Sequence, residues 1–299
     1  MEQPLVSILC GCYNQSKFIV ESLESIKNQT YKNYEVIIWD DASTDNSVGI
    51  IENWFAANPE IAVQFIKHET NIGICKSLNE CFKASKGKYI QMLALDDILL
   101  SHKLERHVEI LERSKPTEAL VFSDAYLIDD NSALYQNLFI AFHYHYLSLQ
   151  SGNYFEILVH RNFIPAMSVL LKREVIEDVG YWDENLPFED HDMWLRISKN
   201  YDFLFDDKIS VKYRMHENNS HKKINFTKPI FYMLAKHLEI RSVQKKLQTY
   251  IIEKYMDSSL SDEHIIYFKQ ITAKGMKERL IKQNKGRLLY RILYKLGIH

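Results

Sequence analysis

The run Tyr89-Ile90-Gln91-Met92-Leu93-Ala94-Leu95 is almost wholly apolar and stops at two adjacent carboxylates, Asp96 and Asp97. A strand of that composition needs cover on both faces, as a parallel strand has inside a sheet layered with helices. Ionised carboxylates are costly to bury unless a cation or hydrogen-bond donors meet them. In an open α/β sheet the C-terminal strand ends are where ligands bind. A cation is therefore expected at this end. The plainer alternative is that one Asp caps the following helix and its neighbour is solvated.

The chain before this run repeats the same grammar. Leu5 to Cys10 is a short apolar run, Gly11 to Gln15 a loop, and Ser16 an N-cap before Ile19, Leu23 and Ile26 at helical spacing. Tyr34 to Trp39 reads as the next strand and again ends in paired acids, Asp40 and Asp41, before a helix running to about Ala57. A third strand is expected near Ile61 to Lys67, then a loop at Asn71-Ile72-Gly73 and a helix from Ser77 to Ser85. Four strands separated by helices predict βαβ units in a parallel, twisted sheet. One edge of that sheet would collect Gly11 to Asn14, Asp40-Asp41, Asn71 to Gly73 and Asp96-Asp97. Capping explains one Asp per strand end, not two.

Neither common phosphate loop is present: there is no GxGxxG after the first strand and no GxxxxGK[ST] anywhere. A phosphate bound here needs another counter-charge. Mg²⁺ or Mn²⁺ on carboxylates supplies one, taking one or two carboxylates and filling its other positions with phosphate oxygens and water. The acids are thus read as holding a divalent metal and a nucleotide sugar.

Further along, a helix is expected from Ser101 to about Arg113, two short strands at Ala119 to Phe122 and Ala125 to Ile128 around a turn at Ser123-Asp124, and an aromatic-rich loop or hairpin over 131–150. Ala166 to Leu171 reads as a strand, as does Ile209 to Met215. Glu189 and Asp190 open a helix carrying Met193, Trp194 and Ile197. The helix dipole alone favours acids there, and a carboxylate facing a cleft is also what a general base requires. His216 reads either as a satisfied surface residue or as a ligand.

The net charge of −2 conceals an asymmetry: from Lys274 to His299 there are eight Lys/Arg against one acid, a net +7, which leaves −9 for the rest. An acidic body disfavours nucleic acid as a partner. The tail's stripe of Leu288, Leu289, Ile292, Leu293 and Leu296, flanked by Arg287, Arg291 and Lys295, suits an amphipathic helix on an anionic membrane through 286–299, or one packed on the protein itself. With no leader-like start and no apolar stretch of spanning length, a cytoplasmic protein, peripheral on the inner face of the membrane if the tail binds lipid, is expected. Cys10, Cys12, Cys75 and Cys81 lack the spacing of a zinc site and read as buried thiols.

Val6-Ser7-Ile8 with Tyr13-Asn14, Gln29-Thr30-Tyr31, Asp40 to Asp45, Asn71-Ile72-Gly73, Gly87 to Ile90, Leu95-Asp96-Asp97, Gly180-Tyr181-Trp182-Asp183-Glu184, Glu189-Asp190 and Tyr213-Arg214-Met215-His216 together resemble, in order and spacing, the family 2 glycosyltransferases of GT-A fold. The likeness spans about residues 4 to 220. It implies a Rossmann-like, mixed and mostly parallel sheet flanked by helices, in a domain of residues 1–225 with a nucleotide-sugar half (about 1–128) and an acceptor half (about 129–225), followed by a helical extension over 226–299. It also implies an inverting, metal-dependent hexosyltransferase that takes a nucleotide sugar, commonly UDP-linked, to a hydroxyl of a glycan or lipid-linked glycan, as in bacterial surface polysaccharide synthesis.

By that resemblance Gly11, Tyr13, Asn14, Asp41 and Asn71 line the nucleotide, with Asp41 on the uracil and Asp96 near the ribose. Asp97 and His216 are the metal ligands for Mn²⁺ or Mg²⁺, Asp190 is the base, and Glu189 and Trp182 touch the acceptor or support the base. Gly11-Cys12 departs from the Pro-Thr or Thr-Ser pair of many relatives, which leaves only backbone contacts there. The acids are adjacent rather than spaced as DxD, so one direct protein ligand is expected over two. Two rivals stand beside this reading. A sugar nucleotidyltransferase would carry a glycine-rich basic loop after the first strand, and an inactive scaffold would have no need of Asp41, Asp97 and Asp190 together.

Overall fold

The computed structural model describes residues 3–144, 149–217, 219 and 224–256. The chain divides into two compact units, Met1–Leu158 with Asn162–Lys222, and Val159–Arg161 with Lys223–His299. The tail segment 286–299 lies outside the described residues.

The first unit is built on the expected alternation. Strand β1 (Val6–Cys12) is buried along nearly its whole length, and it pairs in parallel with β2 (Tyr34–Asp40) on one side and β4 (Tyr89–Ala94) on the other; β3 (Val63–Lys67) adds parallel to β2. Helices α1 (Ile19–Lys27), α2 (Ser47–Ala57) and α3 (Ile74–Ala84) make the crossovers. On α1, Ile19, Leu23 and Ile26 recur at helical spacing and are buried with Ile8, Cys10, Val36, Ile38 and Leu93 in one core. All four cysteines are free and buried.

Beyond β4 come β5 (Ile98–Leu99), α4 (Lys103–Glu112), β6 (Glu118–Ile128), β7 (Leu134–Leu138), α5 (Phe139–Tyr144), α6 (Phe155–His160), β8 (Leu170–Lys172), α7 (Arg173–Val179), α8 (Asp190–Ile197) and β9 (Asp202–Arg214). The sheet runs β3-β2-β1-β4-β8-β6-β9-β5, with β7 on β6. Strand β8 is antiparallel to both β4 and β6, while β6 and β9 are parallel, so the sheet is mixed and mostly parallel.

Two local readings change. The two short strands around Ser123-Asp124 are one strand, β6, with its register against β9 shifting between Ser123 and Ala125. Asp124 is the residue at that irregularity, and its carboxylate accepts the N–H groups of Ala125 (2.7 Å) and Ile140 (3.0 Å). The strand expected over Ala166 to Leu171 is a 3₁₀ turn at Ala166–Ser168 followed by the three residues of β8. The 131–150 region holds the β6–β7 hairpin and then α5.

The second unit contains α9 (Thr227–Ala235) and α10 (Arg241–Met256). Phe231, Met233, Leu234, Val243 and Leu247 are buried, and the Tyr250 hydroxyl donates to the Thr227 carbonyl (3.3 Å). Among the described residues no helix is long and apolar enough to cross a membrane.

Candidate functional site

The C-terminal ends of β1, β2 and β4 meet at one rim. Leu95 N donates to Gly11 O (2.9 Å) and Asp41 N to Cys12 O (3.0 Å). The turn after β2 is tight: Ala42 lies in the left-handed region (φ 63°), and Asp40 accepts both the N–H (2.8 Å) and the hydroxyl (2.6 Å) of Ser43. Asn14, also left-handed (φ 54°), donates its backbone N–H to Ser43 Oγ (2.8 Å), and its Oδ1 accepts Thr44 N (2.7 Å) and Asp45 N (3.3 Å). Asp40 and the Asn14 carbonyl thus build the loops themselves.

Asp41 is nearly buried and anchors the loop before α3, accepting Ile72 N (2.8 Å) and Gly73 N (3.1 Å). His68 Nδ1 lies 3.1 Å from the same carboxylate and its Nε2 3.1 Å from Glu80, a relay that the sequence reading missed. Asn71 is exposed in this loop and Tyr13 is half exposed on the rim. Gly11 is required by packing: a Cβ there would sit 2.5 Å from Cζ2 of Trp39.

At the end of β4, Asp97 is buried and its Oδ1 accepts the backbone N–H of Arg214 (2.9 Å). Burial and then the neighbouring Asp96 push its carboxyl upward, against the pull of Arg214. His216 Nε2 faces Asp96 Oδ2 at 2.9 Å. Of the two residues expected at the metal, His216 thus faces Asp96, while Asp97 is held on the β9 backbone. Asn219 Oδ1 accepts His216 N (2.6 Å), and the Phe18 ring lies 5.0 Å from the imidazole.

Arg214 fastens this corner. Its guanidinium donates to Asp96 O (2.8 Å), Asp129 O (2.8 Å), Ser132 Oγ (3.0 Å) and Glu21 (2.5 Å), and lies 4.7 Å from the Phe18 ring centroid. Among the described residues no group of three or more His, Cys, Asp or Glu could hold a metal. A two-donor set still suits a hard cation, since adjacent ligands about 2.1 Å from an octahedral Mg²⁺ stand about 3 Å apart and the remaining positions take phosphate and water. The Asp96–His216 separation of 2.9 Å fits that spacing.

Across the rim, α8 begins at Asp190. Arg196 fixes its orientation by donating to Asp192 (2.8 Å) and to the carbonyls of Val179 (2.8 Å), Gly180 (2.7 Å) and Tyr181 (2.9 Å). Cys75 Sγ on α3 contacts Phe188 O (3.3 Å), which brings the Glu189-Asp190 pair beside the loop that Asp41 anchors. Asp190 Oδ2 accepts Asn162 Nδ2 (2.6 Å) and Oδ1 accepts His191 N (2.6 Å). Burial and then the Asp190 charge push Glu189 up to about 8. Burial also raises Asp190, opposed by His191 and Asn162.

Burial first, then the charges of Asp97, Asp96, Asp190 and Glu189, hold the Tyr213 phenol protonated. Trp182, expected to touch the acceptor or support the base, is buried, edge-on to Phe82 (5.9 Å), with Asn79 bonded to both its backbone N–H (3.0 Å) and its carbonyl (2.9 Å). It braces α3 through Asn79 and Phe82. Tyr213 was part of a motif already noted; Asn162, in a stretch without periodicity, carried no sequence signal.

Comparison with known proteins gives a consistent result. The family described as Glycosyl transferase family 2 matches residues 7–180. An uncharacterized glycosyltransferase of Methanocaldococcus jannaschii is 30% identical over 224 residues, 74% of each chain. One from Rickettsia felis is 30% identical over 223 residues, 74% of this chain but only 36% of that longer protein. Among solved structures, S. aureus TarS residues 1–349 with UDP-GlcNAc superposes with TM-score 0.69 at 15% identity, covering 98% of this chain and 87% of that one. The mannosyltransferase PcManGT from Pyrobaculum calidifontis, in complex with GDP-Man and Mn²⁺, gives 0.59 at 14%, covering 99% and 88%. At such identities the structural matches speak for the fold: a mixed, mostly parallel sheet flanked by helices.

Proposed function

This chain belongs to glycosyl transferase family 2, and from that premise we propose that it moves a hexose from a UDP-linked donor to a hydroxyl of a glycan or lipid-linked glycan, with inversion, using Mn²⁺ or Mg²⁺. The observation that carries the reading is the pair of acid clusters, Asp96-Asp97 joined to His216 after β4 and Glu189-Asp190 opening α8. TarS with UDP-GlcNAc and PcManGT with GDP-Man and Mn²⁺ support a nucleoside-diphosphate sugar with a divalent cation.

Asp96 and His216 would hold the cation, which when bound neutralises charge building on the departing diphosphate. Asp97 and Arg214 hold that corner rigid from beneath. On the nucleotide side, Asp41, Asn14 and Tyr13 line the rim, with Asp41 kept in place by His68. Asp190 takes the acceptor's proton. Glu189, protonated up to about pH 8, adds no second negative charge beside it and leaves the base role to its neighbour. Attack from the face opposite the diphosphate inverts the anomeric carbon.

A panel of UDP- and GDP-sugars with Mn²⁺ tests this, scored by hydrolysis and by thermal protection. Asp190→Asn is expected to abolish turnover of the best donor while retaining protection by UDP. Wild-type turnover in that variant refutes the base, and lost UDP protection moves Asp190 to the nucleotide. Asp96→Ala is expected to remove the Mn²⁺-dependent part of UDP protection.

A further inference from the structure

Asp190 is held by two donors of different kinds. The His191 N–H belongs to the first turn of α8 and is present whatever the side chains do. Asn162 reaches in from the irregular segment after α6, and its Nδ2 lies 2.6 Å from Asp190 Oδ2. Asn162 is itself fixed on two sides. Its Oδ1 accepts Ile164 N (3.3 Å), an Asx turn that presents the amide nitrogen toward α8, and its backbone carbonyl accepts the hydroxyl of Tyr144 at the end of α5. At its other end α5 places Phe139 edge-on to Tyr213 (5.2 Å). The helix therefore touches both the Tyr213 ring and the residue that grips Asp190.

We propose that Asn162 is the positioning residue of the base: its amide fixes the Asp190 carboxylate in orientation and favours its ionised form, and Tyr144 fixes Asn162 from α5. The proposal rests on Asp190 being the base. A primary amide has no titration of its own, so it offers the same donor at every working pH, and a hydrogen bond to a carboxylate favours the charged state. The groups that face Asp190 are Glu189 and His191 on its own element, Cys75 from α3 and Tyr213 from β9. Glu189 keeps its proton up to about pH 8, His191 favours ionisation of Asp190, and the Cys75 thiol and Tyr213 phenol stay neutral. Asn162 is thus the side chain that donates to the base against the burial that raises it.

The test uses the full chain labelled with ¹³C at aspartate carboxyls, with Asp190→Asn assigning the Asp190 resonance. In Asn162→Ala the Asp190 midpoint is expected to rise by about one pH unit, the loss of one charged hydrogen bond. Turnover of the donor hydrolysed fastest by the wild type is expected to fall about 10-fold or more in kcat, with donor KM within about 2-fold and the acid limb of the profile shifted upward. Asn162→Ser, which keeps a donor on a small side chain, is expected to recover part of both effects and guards against a folding defect in the alanine variant. Asn162→Ala on an Asp190→Asn background should slow hydrolysis no further. An unmoved Asp190 midpoint in Asn162→Ala, or a rise in KM with kcat intact, overturns the proposal. Wild-type turnover in Asp190→Asn refutes the base instead, which separates the two failures.

Discussion

Glu189 is the group whose protonation ties the site to the stability of the fold. Its ordinary value is 4.5, and burial followed by the Asp190 charge raises it to about 8. The folded state therefore keeps a proton that the unfolded chain has already released between these limits. Stability is full below about pH 4.5, falls as pH rises toward about 8, and levels off above. At 1.36 kcal/mol per pH unit the span is at most about 5 kcal/mol, and partial exposure of the rim reduces it to about 1–2 kcal/mol through solvent screening.

Glu189→Gln removes the titration and keeps the volume. Urea unfolding of wild type and variant at pH 5, 6.5, 8 and 9 measures the difference directly, since other titrating groups cancel between them. The variant is expected to match the wild type at pH 5 and exceed it by about 1–2 kcal/mol at pH 9. A variant destabilised equally at all four pH values, or one showing the wild-type slope, refutes a protonated Glu189 beside an ionised Asp190.

Two further outcomes follow from packing. Gly11→Ala drives a methyl to within 2.5 Å of the Trp39 ring and should cost about 1–3 kcal/mol in urea unfolding; combining it with Trp39→Leu should recover most of that loss. Arg214→Met removes the guanidinium donor to the Asp96 carbonyl and the partner of Glu21, and leaves the Asp129 carbonyl with only the Ser132 N–H; it should lower stability by about 3 kcal/mol and remove the Mn²⁺-dependent part of UDP protection, with Arg214→Lys recovering less than half because one ammonium cannot replace the fork.

Much of the architecture was legible from local pattern. The alternation of apolar runs with helical periodicity marked β1 to β4 and α1 to α3, because burial of one strand face or one helix stripe leaves a period of 2 or 3.6 in the chain. The reading failed where the period was interrupted: β6 looked like two strands because Ser123-Asp124 resembles a turn, yet Asp124 satisfies the irregularity with its own carboxylate. Short β8, held between β4 and β6 rather than by its own composition, was blurred into its neighbouring turn.

The sequence by itself determined that acids stand at the ends of β2 and β4 and at the start of α8, since each is set by where a strand stops or a helix opens. Tertiary structure decided what each acid meets. His216 reaches Asp96 from 120 positions away while Asp97 turns to the Arg214 backbone, and Asn162 reaches Asp190 from 28 positions away. It also decided which carboxyl of the Glu189-Asp190 pair keeps its proton. Strand and helix ends follow from neighbours along the chain, whereas donors, desolvation and charge at a site come from segments that only packing brings together, and two adjacent carboxylates stay interchangeable in sequence until that packing tells them apart.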